Sequence, residues 1–266
     1  MSNAHMSLAD STTGSGLPVV RKIGPADLKD ALSRGLADFW AMPTHIVFLG
    51  LIYPIVGLVL ARLVFGYDVL PLLFPLAAGF ALIGPFAALG LYELSRRREA
   101  GLDVAWRHAF DVVHSPSIGA ILALGGLLLI LFLVWIAVAD RIYVATFGYA
   151  SAASMPGFID QVFNTPEGIR LILVGNGVGF LFAVAALMIS VISFPLLLDR
   201  PVSPAVAILT SARVVLANPL TMALWGVIVA ALLVVGSLPF FLGLAVVVPV
   251  LGHATWHLYR KAVAPP

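Results

Sequence analysis

Long apolar runs separated by short polar segments dominate the chain from residue 46 onward. A helix needs roughly 20 apolar residues to cross a bilayer core about 30 Å thick. The runs therefore predict six transmembrane helices, at 46–65, 72–94, 118–139, 169–198, 219–237 and 238–259. The fourth run is long enough to be tilted or broken. Strict alternation of apolar and polar residues is missing, so we expect an all-α membrane protein.

Shorter amphipathic segments precede the first, third and fifth runs, and each ends in a proline. These segments are DLKDALSRGLADFWAMP to Pro43, DVAWRHAFDVVHSP to Pro116 and SPAVAILTSARVVLANP to Pro219. In the first segment one helical face is apolar, as in a helix that lies at the membrane surface; this face carries Leu28, Leu32, Leu36 and Phe39. We therefore predict three interfacial amphipathic helices on the cytoplasmic side.

The even-numbered runs also resemble one another, because each contains an internal proline that can kink a helix. Together with the amphipathic segments they suggest an internal repeat. We predict three copies of amphipathic helix, span and kinked span in quasi-threefold order, at about 25–98, 103–200 and 203–261.

The first 22 residues differ from the rest of the chain in composition. MSNAHM resembles a cloning remnant, and the SLADSTTGSGLP that follows is small and polar. We expect a disordered tail over 1–22 and a single six-helix transmembrane domain over 23–262.

Composition supports the membrane assignment and excludes several kinds of chemistry. Charged residues make up 11% of the 266 positions, against about 25% in soluble domains. Cysteine is absent, which excludes disulfides, thiolate metal ligands and cysteine nucleophiles. The formal net charge is only +2, and the basic residues form short clusters at helix ends, so no nucleic-acid partner is expected.

The positions of lysine and arginine assign the two sides of the membrane. With six spans, twelve of the fifteen lie at the termini and in the loops from even to odd spans. Only Arg62, Arg141 and Arg170 lie on the other side. Because cytoplasmic loops carry the excess of positive charge, both termini should be cytoplasmic.

Several segments resemble an uncharacterised bacterial family of predicted integral membrane proteins. They are FWAMP, LGLYELSRRREAG, ANPLTMALWGVIVAALLVVG and VPVLGHATWHLYRK. The likeness covers nearly all of residues 21–261, and its most distinctive part is the closing GHATWHLYR. It implies location in the bacterial inner membrane, but it implies no activity, cofactor or site residue.

The closing segment GHATWHLYRK places His253 and His257 one helical turn apart, and the proposed repeat puts Glu93 at a depth equivalent to that of His257. An aromatic and basic belt, typical of a helix end at a membrane surface, follows at Trp256, Tyr259, Arg260 and Lys261. The histidines could bind a metal or haem. We favour a hydrogen-bonded polar cluster with Glu93 that joins the second and sixth spans, and we predict no metal and no cofactor.

Three further features are polar. Asn176 lies inside an apolar run, where it should hydrogen-bond to a neighbouring helix or mark a solute path. Arg34 and Asp38, like Arg107 and Asp111, are spaced i, i+4 and predict interfacial ion pairs. An alternative is that these pairs line a cytoplasmic vestibule.

No hydrolase-like or nucleotide-binding motif is convincing in this sequence, so we expect a protein that is not an enzyme. Kinked spans, repeats and polar residues within the membrane favour binding or transport of a small solute or lipid, with membrane lipids as partners and a homo-oligomer left open. The alternatives are a haem- or metal-binding accessory protein of a respiratory chain, and a structural membrane partner. The sequence does not identify the substrate.

The topology can be tested with single cysteines, since the chain has none of its own. We expect cysteine at Ser154 to react with an impermeant thiol reagent in intact cells. Cysteines at Arg97 and Ala264 should react only after permeabilisation. Labelling of position 97 but not position 154 in intact cells would contradict the topology.

Overall fold

The computed structural model describes residues 17–42, 75–76, 84–149, 155–239 and 242–265, and these residues are mainly helical. The α-helices are α1 (Pro25–Ala41), α2 (Gly84–Ala87), α3 (Leu89–Glu99), α4 (Ile118–Phe147), α5 (Met155–Asn164), α6 (Pro166–Ser190), α7 (Ser193–Asp199), α8 (Pro204–Ala217), α9 (Pro219–Ser237) and α10 (Leu244–Ala262). A 3₁₀ helix, Trp106–His114, lies between α3 and α4.

Three helical segments in the described part of the chain are long and apolar enough to cross a membrane. They are Ile118–Phe147, Pro166–Asp199 and Pro219–Ser237. They correspond to the predicted third, fourth and fifth spans, and they confirm a helical membrane protein. The predicted span 46–65 lies outside the described residues, and most of the apolar part of 72–94 does too. The count of six spans therefore stays a prediction.

The long fourth span is broken near its end. α6 ends at Ser190, and α7 begins at Ser193 after a turn at 191–192. In a continuous helix Pro195 would leave a carbonyl without its hydrogen bond, whereas in the first turn of α7 its missing N–H is not needed. The hydroxyl of Ser211 on α8 accepts a hydrogen bond from Ile192 N–H at 3.2 Å, which satisfies one backbone group at the break.

The third span extends further than predicted. The predicted spans 118–139 and 169–198 leave residues 140–168 outside the membrane, but α4 continues to Phe147 and ends at Gly148, whose φ of 75° favours glycine. Polar residues beyond the apolar run can remain helical at the membrane surface, where water and headgroups solvate their side chains. A short helix, α5, lies between the third and fourth spans.

α1 packs antiparallel to α10. Gly35 of α1 lies so close to Ala254 of α10 that a Cβ on Gly35 would come within 2.6 Å of the Ala254 backbone nitrogen. The two chain ends also pair, since Arg21 N–H donates to the Ala262 carbonyl at 2.8 Å. Part of the predicted N-terminal tail therefore contacts the helical domain.

This close packing changes which face of α1 is buried. The buried residues are Leu28, Ala31, Gly35, Asp38 and Phe39. Leu36, which we placed on the apolar face, is 43% exposed, and Trp40 is 75% exposed. Small residues permit closer approach of two helices than leucine does, so the larger side chains are left to face the surroundings.

Several chain segments meet at one end of the helices, which we call the basic end. It contains both described chain ends, the end of α3, the 3₁₀ helix, the start of α4 and the end of α7. Its basic residues include Arg96, Arg97, Arg98, Arg200, Arg260 and Lys261. The predicted topology places all these segments on one side of the membrane.

All three predicted amphipathic segments contain a helix, although the second is a 3₁₀ helix. This 3₁₀ helix exposes large apolar side chains, at Trp106, Phe110 and Val113. Such side chains suit contact with the membrane interface. The quasi-threefold repeat itself stays a prediction.

The contact between α1 and α10 can be tested by substitution at Gly35. Gly35→Ala should destabilise the fold by about 1–3 kcal/mol, because the added methyl overlaps the backbone of α10. Gly226→Ala in α9 is the matched control, since a Cβ there meets nothing within 4 Å and alanine favours helix. Thermal unfolding in detergent should show a lower Tm for the first variant only. An unchanged Tm for Gly35→Ala would contradict the packing.

Candidate functional site

A buried carboxylate, Asp38, lies at the centre of a polar cluster at the basic end. Ser95 Oγ donates a hydrogen bond to Asp38 Oδ2 at 2.6 Å, and Arg98 Nη1 lies 2.5 Å from Asp38 Oδ1. His257 Nε2 lies 2.8 Å from Asp38 Oδ2, and His253 Nδ1 lies 2.8 Å from Ser95 Oγ. We call these five residues the Asp38 cluster. It joins α1, α3 and α10.

The hydrogen-bond chain constrains the two histidines. Ser95 has one hydroxyl proton, so when it donates to Asp38 it must accept from His253 Nδ1–H. Nε2 of His253 is then an acceptor. It is buried and has no hydrogen-bond partner in the described part of the chain, although its ring interacts electrostatically with the Leu91 carbonyl.

Glu93 does not join the histidines as predicted. Its carboxylate binds Arg96, with Arg96 Nε at 2.7 Å and Nη2 at 2.8 Å. Successive residues of an α-helix are rotated by about 100°, so positions 93 and 95 differ by about 200° and point to opposite sides of α3. Ser95 faces α10, and it makes the connection between α3 and α10 that we assigned to Glu93.

The aromatic residues after the histidines are buried in the protein and do not form a surface belt. Trp256 is 1% exposed and donates from Nε1 to Glu99 at 2.9 Å. Tyr259 is also buried and donates its hydroxyl proton to Asp199 of α7 at 2.5 Å. These bonds fasten the end of α10 to both α3 and α7.

The two predicted i, i+4 ion pairs are replaced by others. Arg34 binds Asp30 at 2.9 Å, since Asp38 is turned inward and already accepts three hydrogen bonds. In a 3₁₀ helix residues four apart differ by about 120°, which separates Arg107 from Asp111. Asp111 instead binds Arg97, at 3.2 Å.

Asn176 is exposed on α6 and bonds within its own helix. Its side-chain amide donates to the Ile172 carbonyl at 2.7 Å. The predicted bond to a neighbouring helix is therefore absent among the described residues, because Asn176 lies on an exposed face of α6.

A polar cleft of about 350 Å³ lies at the basic end, and Glu93, Arg96 and Arg97 of α3 are part of its lining. Its charged lining consists of Glu93, Arg96, Arg97, Asp111, Asp199 and Arg200, and His114 lines it too. We call it the arginine cleft. Its lining includes Ser117, which directly precedes the first residue of α4. The positive end of the α4 dipole therefore points into the cleft.

Each arginine of the cleft is held by a carboxylate. Arg96 binds Glu93, Arg97 binds Asp111, and Arg200 lies 3.4 Å from Asp199. The side chains of Arg97 and Arg200 are only 20% and 14% exposed. Guanidinium groups fixed in this way offer hydrogen bonds in a set geometry.

Sequence reasoning missed part of both sites. Ser95 and Arg98 were not singled out, and Arg96, Arg97 and Arg200 counted only toward topology. One signal was available for Asp38: the spacing of Leu28, Ala31, Gly35 and Asp38 places the acid on a continuous stripe of small and apolar residues. An acid on such a stripe predicts a buried, paired carboxylate.

Comparison with known proteins finds a similarity over part of the chain. Residues 72–199 match the family model "Predicted integral membrane protein (DUF2189)". This match confirms the resemblance to an uncharacterised family of integral membrane proteins over residues 72–199, whereas the likeness of the closing GHATWHLYR lies outside the match. The DUF2189 region runs from the second predicted span to the end of α7, so it contains the whole of α3 and most of the arginine cleft. No curated protein and no solved structure matches the chain.

The environment of Asp38 affects its ionisation. Burial, the largest single effect, raises the pKa of this carboxyl, but the hydrogen bonds from His257 and Ser95, together with the electrostatic attraction of the two histidines, lower it by more. The net result is a pKa below its ordinary value of 3.8. Asp38 is therefore ionised at neutral pH, and it stabilises the fold through its donors.

Asp38→Asn should destabilise the protein by about 1–3 kcal/mol, because Arg98 and His257 then face a neutral amide. Asp30→Asn is the matched control. The Asp30 side chain is 41% exposed, and its ion pairs are worth less than about 1 kcal/mol. Thermal unfolding in detergent at neutral pH compares the two.

The lowered pKa of Asp38 also predicts how the stability of the protein depends on pH. Since the pKa of Asp38 is lower in the folded state, its stabilisation is complete above the unfolded value and is lost as pH falls through the folded value. The drop in Tm between roughly pH 5 and pH 2 should therefore be smaller in Asp38→Asn than in the parent. An equal drop in both would show that the carboxylate contributes nothing.

Proposed function

We propose that this protein is a non-enzymatic component of the bacterial inner membrane that binds a small polar solute in the arginine cleft. The observation that carries the proposal is the cleft itself: about 350 Å³, polar, and situated where the ends of α3, α4 and α7 meet. Small-molecule sites have volumes of about 300–1,000 Å³. With the predicted topology, the cleft opens to the cytoplasm.

The charges of the cleft limit the class of solute. Its three arginines are balanced by three carboxylates, so a polyanion gains little net attraction. A single anionic group gains more, because it can bind between fixed guanidinium groups and the start of α4. The carboxylates can accept hydrogen bonds from donors elsewhere on the same solute. We therefore infer a small solute with one anionic group and additional polar groups.

We extend this proposal from binding of the solute to its transport across the membrane. The cleft includes Leu198 to Pro201, which are the last two residues of α7 and the two that follow it, and α7 itself follows the break at 191–192. In transporters, broken helices often lie beside substrate sites and permit their rearrangement. The break therefore supports movement of the solute along the bundle, with the cleft as its cytoplasmic binding site.

The buried Nε2 of His253 favours a second candidate, a haem- or metal-binding accessory protein. Against it, His257 is engaged by Asp38 and Glu93 by Arg96. The described residues also contain no group of three or more His, Asp or Glu side chains placed to hold a metal ion. Stoichiometric haem, copper or zinc in the purified protein, lost in His253→Gln, would favour the second candidate.

The solute proposal is tested by ligand-dependent thermal unfolding of the purified protein. Inorganic phosphate, succinate and glutamine serve as probes, because they differ in charge and in additional polar groups. We expect glutamine, which carries one carboxylate, an ammonium group and a neutral amide, to raise Tm more than inorganic phosphate does. Uptake of the same probes into proteoliposomes then tests transport.

The controls separate the cleft from general charge effects. Arg97→Gln and His114→Ala remove cleft groups and should abolish the Tm shift. Arg213→Gln removes an exposed arginine of α8 outside the cleft and should retain the shift. Equal shifts in all three variants, or no shift with any probe, would contradict binding at the cleft.

A further inference from the structure

A second concavity lies between α4 and α6 near the end of the helices opposite to the basic end. Its volume is about 430 Å³, and its lining is mostly apolar. Val134, Val138 and Val174 supply apolar surface, and Arg141 and Arg170 lie on opposite walls. We call it the α4/α6 groove. Both helices that form it are among the three long apolar segments, so the groove faces the membrane.

The two arginines of the groove differ from those of the arginine cleft. Both are exposed, and neither forms an ion pair or hydrogen bond with any group in the described part of the chain. Asp140 and Glu167 are near them in sequence, but they do not pair with them. By contrast, Arg97 and Arg98 of the basic end bind carboxylates.

The same arginines are exceptions to the charge asymmetry of the chain. Of the three basic residues on the side predicted to be external, Arg141 and Arg170 are the two that the structure describes, and it brings them to one groove. Basic residues are disfavoured on that side by the positive-inside tendency. Two such residues in one membrane-facing groove therefore favour an anionic partner.

The depth of Arg141 indicates the source of that anion. It lies 23 residues after Ile118, the first residue of α4, which corresponds to about 35 Å along a helix. A helix that begins at one surface of a hydrocarbon core about 30 Å thick reaches the opposite headgroups at that distance. Arg141 is thus at the level of lipid phosphates, and Val134 and Val138 lie deeper, at the level of acyl chains.

We propose that the α4/α6 groove binds one anionic glycerophospholipid of the leaflet opposite to the basic end. Its phosphate lies between Arg141 and Arg170, and one acyl chain lies against Val134, Val138 and Val174. Two unpaired guanidinium groups favour a headgroup with net negative charge over a zwitterionic one. This site is separate from the arginine cleft, and it does not depend on the solute proposed there.

The test is native mass spectrometry of the purified protein, supplemented with phosphatidylglycerol or phosphatidylcholine. We expect the parent to retain one phosphatidylglycerol with at least about tenfold higher affinity than Arg141→Gln/Arg170→Gln, since two charge-assisted contacts are lost. Phosphatidylcholine should bind more weakly to the parent. Arg107→Gln/Arg213→Gln is the matched control, because it removes two exposed arginines elsewhere and should retain the lipid.

Val138→Phe fills the groove without altering its charge, and it should also weaken phosphatidylglycerol binding. Glycerol 3-phosphate tests for a free phosphate site and should not compete. Undiminished binding in the double variant or in Val138→Phe would overturn the proposal. So would an equal loss in the control variant, equal binding of the two lipids, or competition by glycerol 3-phosphate.

Discussion

The buried negative charge of Asp38 is the constraint on which the basic end depends. A carboxylate removed from water is costly unless charged or hydrogen-bonding partners replace the water. Here the partners come from two other helices: Ser95 and Arg98 from α3, and His257 from α10. Three donors directed at one carboxylate fix both the rotation and the height of the helices that carry them.

Close backbone packing makes this arrangement possible. A Cβ on Gly252 would lie 2.4 Å from Leu91 Cδ1, and a Cβ on Gly35 would overlap Ala254. α10 therefore approaches α3 and α1 at glycines, one turn or less from the polar contacts. The short side chains of Asp38 and Ser95 can reach their partners only at such separations. Packing and electrostatics thus support the same helix positions.

The arginines of the two proposed sites differ in their partners, and this difference underlies both proposals. At the basic end, carboxylates of the protein hold Arg96, Arg97 and Arg200, which gives a shaped cleft with little net charge. At the other end, Arg141 and Arg170 have no such partners in the described structure, and they border an apolar surface. The first environment suits a small polar solute, whereas the second suits an amphiphile.

The sequence by itself determined the features that depend on local composition. Hydropathy over about 20 residues is a property of a single segment, so the third, fourth and fifth spans were predictable without knowledge of their neighbours. The proline at 195 similarly indicated the break in the fourth span, because the loss of a backbone donor acts within one turn. The polar nature of the His253 and His257 region was also visible.

Only the tertiary structure decided which polar groups meet. A shift of two positions along a helix rotates a side chain by about 200°, and this is the difference between Glu93 and Ser95 as the partner of α10. The 3₁₀ geometry of Trp106–His114 likewise redirected Asp111 toward Arg97. Asp38 became a buried centre because Gly35 allowed α1 to approach α10 closely. Such contacts depend on the rotation and separation of helices distant in sequence, which the pattern along any one segment does not contain.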